Sequence, residues 1–253
     1  MQKPEFRRDK NQHEILIVAE TARMVGPASR TIQFYLVLAV GILPPIVSAL
    51  GVFLGLLHPQ PATRYRLVFR IAFELTCILC LYAVLSYQHR RFRDIGFSFP
   101  VRLNEWWHAL ALFFVALCAD VFAYRVLNSL IRISIGHGLT RANDRAWING
   151  TTFGLLPVLF VLVNPFYEEL LVRAFLITET EAIYRSTALA ICVSVVLQAS
   201  YHLFQGWPAA LSHVPILLLF SWYFVRTRRI LPVILAHLLL DATVIALYFR
   251  HPY

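Results

Sequence analysis

The sequence predicts an all-α fold: a polytopic transmembrane helical bundle of about seven to eight helices around an intramembrane polar site. Three observations carry that reading. The chain is 58% hydrophobic and 15% charged, with a mean hydropathy of +0.63, well outside the balance of a water-soluble domain. Apolar runs recur at spanning length, about 20 residues being enough to cross the hydrocarbon core. One run is interrupted by charge, at Asn164-Pro165-Phe166-Tyr167-Glu168-Glu169-Leu170-Leu171-Val172-Arg173. An ionisable group at membrane depth costs at least about 2.5 kcal/mol, so it faces the protein interior and marks chemistry or a pathway.

Residues 1–31 read as a cytoplasmic N-terminal segment. They are polar, and the apolar run that follows is too long for the h-region of a cleavable secretory signal. Within them Ile15, Val18, Ala22 and Val25 recur at helical spacing beside Glu14, Glu20 and Arg23, the pattern of an amphipathic helix on a membrane surface. Residues 32–249 form a single integral membrane domain, with apolar runs at 32–57, 68–87, 106–127, 151–177, 187–204, 209–225 and 230–249. The fourth run contains Pro157 and Pro165, which can break it into a span and a second, tilted helix carrying the carboxylates. The longest polar connection, residues 128–150, is long for an ordinary loop.

Arginine placement orients the bundle. Lys3, Arg7, Arg8, Lys10, Arg23 and Arg30 precede the first span, Arg90, Arg91, Arg93 and Arg102 follow the second, and Arg226, Arg228 and Arg229 follow the sixth. The uncharged loop 205–208 falls on the opposite side, which puts the N-terminus in the cytoplasm, although Arg64, Arg66, Arg141 and Arg145 lie on the outer side of that assignment. The net charge of +9 is therefore a topological signal and predicts no nucleic-acid partner. Cys77, Cys80, Cys118 and Cys192 all lie in apolar runs, where packing is the expected role; Cys77 and Cys80 match C-x-x-C but lack a second pair.

Helical geometry separates the two glutamates. Glu169 and Arg173 are four apart and share a face, whereas Glu168 is rotated by about 100°. Pairing neutralises Arg173 and leaves Glu168 free to act as a general acid or base, unless both carboxylates merely tie helices together. His237 and Asp241 are also four apart in the last span and point to one face. Alone, such a pair is equally a satisfied interhelical hydrogen bond, and a histidine near a helix end, like His202, is more often structural. Their coexistence with Glu168 makes acid, base and donor groups from several helices available to one buried hydrolytic site. Glu74, Asp120 and Arg125 are further intramembrane charges, open to pairing between helices or to lining an access path.

These residues resemble the CAAX protease and bacteriocin-processing family, which includes the type II CAAX prenyl endopeptidases. Its E-E-x-x-x-R motif is matched by Glu168, Glu169 and Arg173, and its H-x-x-x-N/D motif by His237 and Asp241. Its F-x-x-x-H motif is half kept, with His202 present but Gln198 at the aromatic position. Asp94-Ile95-Gly96-Phe97 and the Arg226-Thr227-Arg228 stretch leading to His237 are smaller echoes, and the motif-bearing core covers about 153–247. The resemblance implies a glutamic-type intramembrane endopeptidase of a prokaryotic inner or plasma membrane. In it Glu168 activates water and His202 holds that water or shares its proton. His237 and Asp241 stabilise the oxyanion, and Glu169 and Arg173 brace the scaffold. An ionised Asp241 repels an oxyanion, so it is either protonated or it orients His237.

The implied partners are the lipid bilayer and a membrane-anchored peptide or protein, with access between helices; whether that substrate is prenylated is open. No cofactor is expected. The alternative is a metal-dependent membrane hydrolase in which Glu168, His202, His237 and Asp241 ligate zinc, although no H-E-x-x-H helix is present. A non-catalytic scaffold or immunity factor of the same fold is another alternative, and a transporter would require paired broken helices in two similar halves.

Overall fold

The computed structural model describes residues 27–58, 63–99, 103–135 and 154–250. The amphipathic helix expected before residue 26 lies outside them. Among the described residues the structure is helical with no strand: α1 (Pro27–Val37), α2 (Leu43–Phe53), α3 (Arg64–Tyr87), α4 (Leu103–Ile135), α5 (Leu155–Glu168), α6 (Leu176–Tyr184), α7 (Thr187–Tyr201), α8 (Trp207–Ser212), α9 (Val214–Thr227) and α10 (Leu231–Arg250). Two π-helical turns, Leu38–Ile42 and Glu169–Phe175, join α1 to α2 and α5 to α6. Among the described residues six continuous helical stretches are long and apolar enough to cross a membrane, and Leu231–Leu247 of α10 is a shorter apolar helix. The chain is an integral, multi-pass helical bundle.

Two expectations need correction. The fourth span does not break at its prolines, because Leu155–Tyr184 is one continuous helical stretch. Pro157 lies in the first turn of α5, where its missing N–H would have had no intrahelical partner. Pro165 lies inside α5, and the helix answers its lost hydrogen bond by widening into the π turn that begins at Glu169. The third span also runs further than expected, since α4 stays helical to Ile135 and absorbs the start of the connection expected at 128–150. Of the cysteines only Cys77 is buried in the core; Cys80, Cys118 and Cys192 are exposed on the outside of the helices.

The π turn Glu169–Phe175 is buried at every position and forms the middle of the bundle. A π turn loosens the ladder of carbonyls, and neighbouring hydroxyls take up two of those freed here. Tyr167 Oη donates to the carbonyl of Gly41 in the first π turn, and Ser194 Oγ of α7 donates to the carbonyl of Val172 at 2.9 Å. Gly41 itself allows the close approach, because a Cβ there would meet Leu171 Cδ2 at 2.4 Å. Helix α10 packs on α4 and α5, and α3 packs on α5, so the turn is enclosed by helices from both halves of the chain.

One end of the bundle is tied by charge. Glu179 of α6, with no exposed surface, accepts from Arg30 Nε at 2.7 Å and from Arg90. Arg228 meets Glu181 at 2.6 Å, and Arg229 meets Glu105 of α4 at 2.5 Å. The arginines flanking the first, second and sixth predicted spans thus gather at one end. There the short 3₁₀ turn Phe92–Ile95 is followed by Gly96 at φ 92°, whose carbonyl accepts from Ile230 N at 3.0 Å. That bond sets the start of α10, the helix carrying His237. A Cβ at Gly96 would sit 2.6 Å from the Arg228 carbonyl oxygen, so Gly96→Ala is expected to destabilise the protein by about 2 kcal/mol or more. Thermal unfolding in detergent measures it; an unchanged melting temperature contradicts this docking.

Candidate active site

Helix α5 and the π turn deliver Glu168, Glu169 and Arg173 to one place from consecutive turns. Arg173 has no exposed side-chain surface, and its Nη1 donates to Glu169 Oε2, the pair expected from the i, i+4 spacing. Its guanidinium also lies over the Phe220 ring of α9, 5.3 Å from the centroid. Its Nε and Nη2 have no hydrogen-bond partner among the described residues, so the cation depends on Glu169 and the ring.

The other oxygen of Glu169 takes a second bond. His237 Nδ1–H donates to Glu169 Oε1 at 2.7 Å, while its Nε2 stands 3.7 Å from Asp241 Oδ1. The hydrogen bond that holds the ring comes from Glu169, while 3.7 Å to Asp241 is the range of a charge contact and too long for a hydrogen bond. Asp241 lies 3.5 Å from Asn164 Nδ2, at the limit of contact. With Nδ1 committed, His237 turns Nε2 toward the side where Asp241 lies, and the charges of Glu168, Glu169 and Asp241 all act on the ring.

Glu168 is placed differently from Glu169. It is half-buried and has no cationic partner among the described residues; its Oε2 accepts from Gln198 Nε2 of α7 at 2.9 Å. Gln198 is buried, and its Oε1 has no partner among the described residues. The departure from the aromatic motif position thus supplies the direct polar contact to Glu168. His202 makes no such bond. Its Nδ1–H donates to Gln205 Oε1 at 3.3 Å, which leaves the Nε2 lone pair as an acceptor.

His202 has company that the sequence did not reveal. Its ring lies 4.6 Å, centroid to centroid, from that of His213, whose Nδ1–H donates to Asp120 Oδ1 of α4 at 3.0 Å. Asp120 pairs between helices, one of the two roles open to it, whereas Arg125 is exposed. Glu74 of α3 is buried with Oε2 unpartnered among the described residues, and the charges of Glu168 and Asp241 reach it. Asn164 and His213 are polar groups of the site that motif reading missed, and Gln198 is one whose contact to Glu168 it did not foresee. The signals available were the asparagine inside an apolar helix and the glutamine at a position where the motif asks for an aromatic.

The site therefore joins Glu168, Glu169, Arg173, His237 and Asp241, with His202 on an adjoining turn. Among the described residues no three His, Cys, Asp or Glu side chains form an arrangement that could hold a metal ion.

No curated protein and no solved structure matches the chain. Residues 150–243, the segment that carries every motif residue described above, match the family model of the type II CAAX prenyl endopeptidase Rce1-like proteins. That segment is similar to the family that its motifs resemble.

Proposed function

We propose that the protein is an intramembrane endopeptidase that hydrolyses a peptide bond of a membrane-delivered substrate with Glu168 as general base. The observation that supports it most is the division of labour between adjacent carboxylates. Glu169 is held by Arg173 and His237, whereas Glu168 meets among the described residues only the neutral Gln198 amide and has no cation to hold it away from a water. In the reaction Glu168 takes a proton from that water as its oxygen attacks the scissile carbonyl carbon. His202 Nε2, free as an acceptor, holds the water's other hydrogen.

The tetrahedral oxyanion is stabilised from the His237 side, where an imidazolium donates Nε2–H, and a protonated Asp241 adds a second donor. Glu168 then returns its proton to the leaving nitrogen as the carbon–nitrogen bond breaks. No metal enters these steps. Substrate reaches Glu168 from the lipid, between helices, and the basic end of the bundle lies in the cytoplasm of a prokaryotic cell.

Co-expression with a library of membrane-anchored peptides tests the reading. Glu168→Gln is expected to lower cleavage by about 100-fold or more, the share a general base supplies, and wild-type cleavage is expected to survive a strong chelator. Chelator-sensitive cleavage would promote a metal site. Cleavage retained by the variant would exclude Glu168 as the base, and a folded protein that cleaves nothing favours a non-catalytic scaffold.

Gln198 gives a second check. Gln198→Leu removes this direct hydrogen bond to Glu168 while keeping volume, and is expected to lower kcat about tenfold with KM unchanged. A change confined to KM would instead make Gln198 a substrate contact.

A further inference from the structure

Away from the carboxylate cluster, two concavities meet along α3. One, of about 350 Å³, opens between α3 and α5 and is walled by apolar side chains alone, among them Leu75, Ile78, Leu162, Phe166 and Leu170. The other, of about 740 Å³, lies where α3 ends and is lined by Tyr82, Ser86 and His89 together with Arg90, Arg91 and Arg93. Phe92 and Phe97 line both, so the two are continuous, and the Phe97 and Phe166 rings carry the wall across to α5 at 6.2 Å.

The basic end holds uncompensated charge. Glu179 is a single carboxylate shared by Arg30 and Arg90, and Arg93 Nε lies 3.8 Å from Asp94 Oδ1. Arg91 spends its backbone N–H on Asp94 Oδ2 at 2.7 Å, and its exposed guanidinium has no acidic partner among the described residues. Four guanidiniums against two carboxylates leave two positive charges beside the larger concavity. Its length is also telling. Eleven residues of helix separate Ser86 from Leu75, about 17 Å at 1.5 Å per residue, close to the roughly 15 Å of hydrocarbon in one leaflet.

We propose that this joined groove binds an anionic phospholipid of the adjacent leaflet, its phosphate against Arg91 and Arg93 and an acyl chain along Leu75 and Ile78 to Phe166. The net charge favours an anionic headgroup over a zwitterionic one, and the apolar half requires a chain that soluble phosphates lack. Phe166 and Leu170 stand on the turn that carries Glu168 and Glu169, so the bound chain braces the outer side of the candidate active site. The lipid site stands whether or not the protein is a protease.

Full-length protein, purified in detergent and depleted of lipid, is titrated with phosphatidylglycerol, phosphatidylcholine or glycerol phosphate, and bound molecules are counted by native mass spectrometry. Phosphatidylglycerol is expected to bind one per chain at least about tenfold more tightly than phosphatidylcholine, with no binding of glycerol phosphate at the same concentrations. The double variant Arg91→Gln/Arg93→Gln is expected to lower phosphatidylglycerol affinity about tenfold or more. Ile78→Trp, which fills the apolar half, is expected to lower retention without touching a charge. Equal affinity for the two lipids, binding of glycerol phosphate as tight as that of phosphatidylglycerol, or variants that bind like wild type would overturn the site.

Discussion

A guanidinium with no exposed surface sits at the centre of this apolar bundle, and the arrangement around it follows from the need to compensate its charge. Arg173 has one carboxylate, Glu169, and the face of one ring, Phe220. Removing one partner of a buried ion pair strands the other charge at a cost of about 3–5 kcal/mol, so Glu169 is not available for chemistry that would protonate it. His237 completes the triad on the other oxygen of the same carboxylate. That ties the first motif, at the junction of α5 and the π turn, to the third motif on α10. The ionisable cost of the membrane interior thus builds a rigid frame, and Glu168, one residue earlier, stands at its edge, where the Gln198 amide is its hydrogen-bond partner.

The π turn makes this placement possible. An α-helix continued through Pro165 would already lack one backbone bond, and the wider turn from Glu169 converts that defect into spare carbonyls, one of which Ser194 satisfies. Gly41 and Tyr167 do the same at the first π turn. Irregular backbone at membrane depth is tolerated here because it is buried in protein on every side. At the basic end, Gly96 plays a related part: its positive φ lets the loop after α3 receive the start of α10, and the position of His237 depends on that contact.

Much of this was legible in the sequence, and the parts that were not share a cause. Hydropathy locates the helices because length and apolarity are local properties, and the i, i+4 spacing announces the Glu169–Arg173 pair. The spacing of His237 and Asp241 announces a shared face but not the partner, since Glu169 reaches His237 from a distant part of the chain. The same holds for Gln198 against Glu168 and for His213 and Asp120 behind His202: these are interhelical contacts with no periodic signature. Read locally, the prolines can break the helix, because each removes a hydrogen bond. A surrounding bundle able to satisfy the freed groups lets the helix continue instead.

The proposed mechanism gives adjacent glutamates opposite duties, Glu168 catalytic and Glu169 structural. Thermal unfolding of Glu168→Gln and Glu169→Gln in the same detergent tests it most directly, because charge and volume change identically at neighbouring positions. Glu168→Gln is expected to melt within a few degrees of wild type while Glu169→Gln, which strands Arg173, melts far lower or fails to fold. Equal losses at both positions, or a larger loss at Glu168, would contradict it.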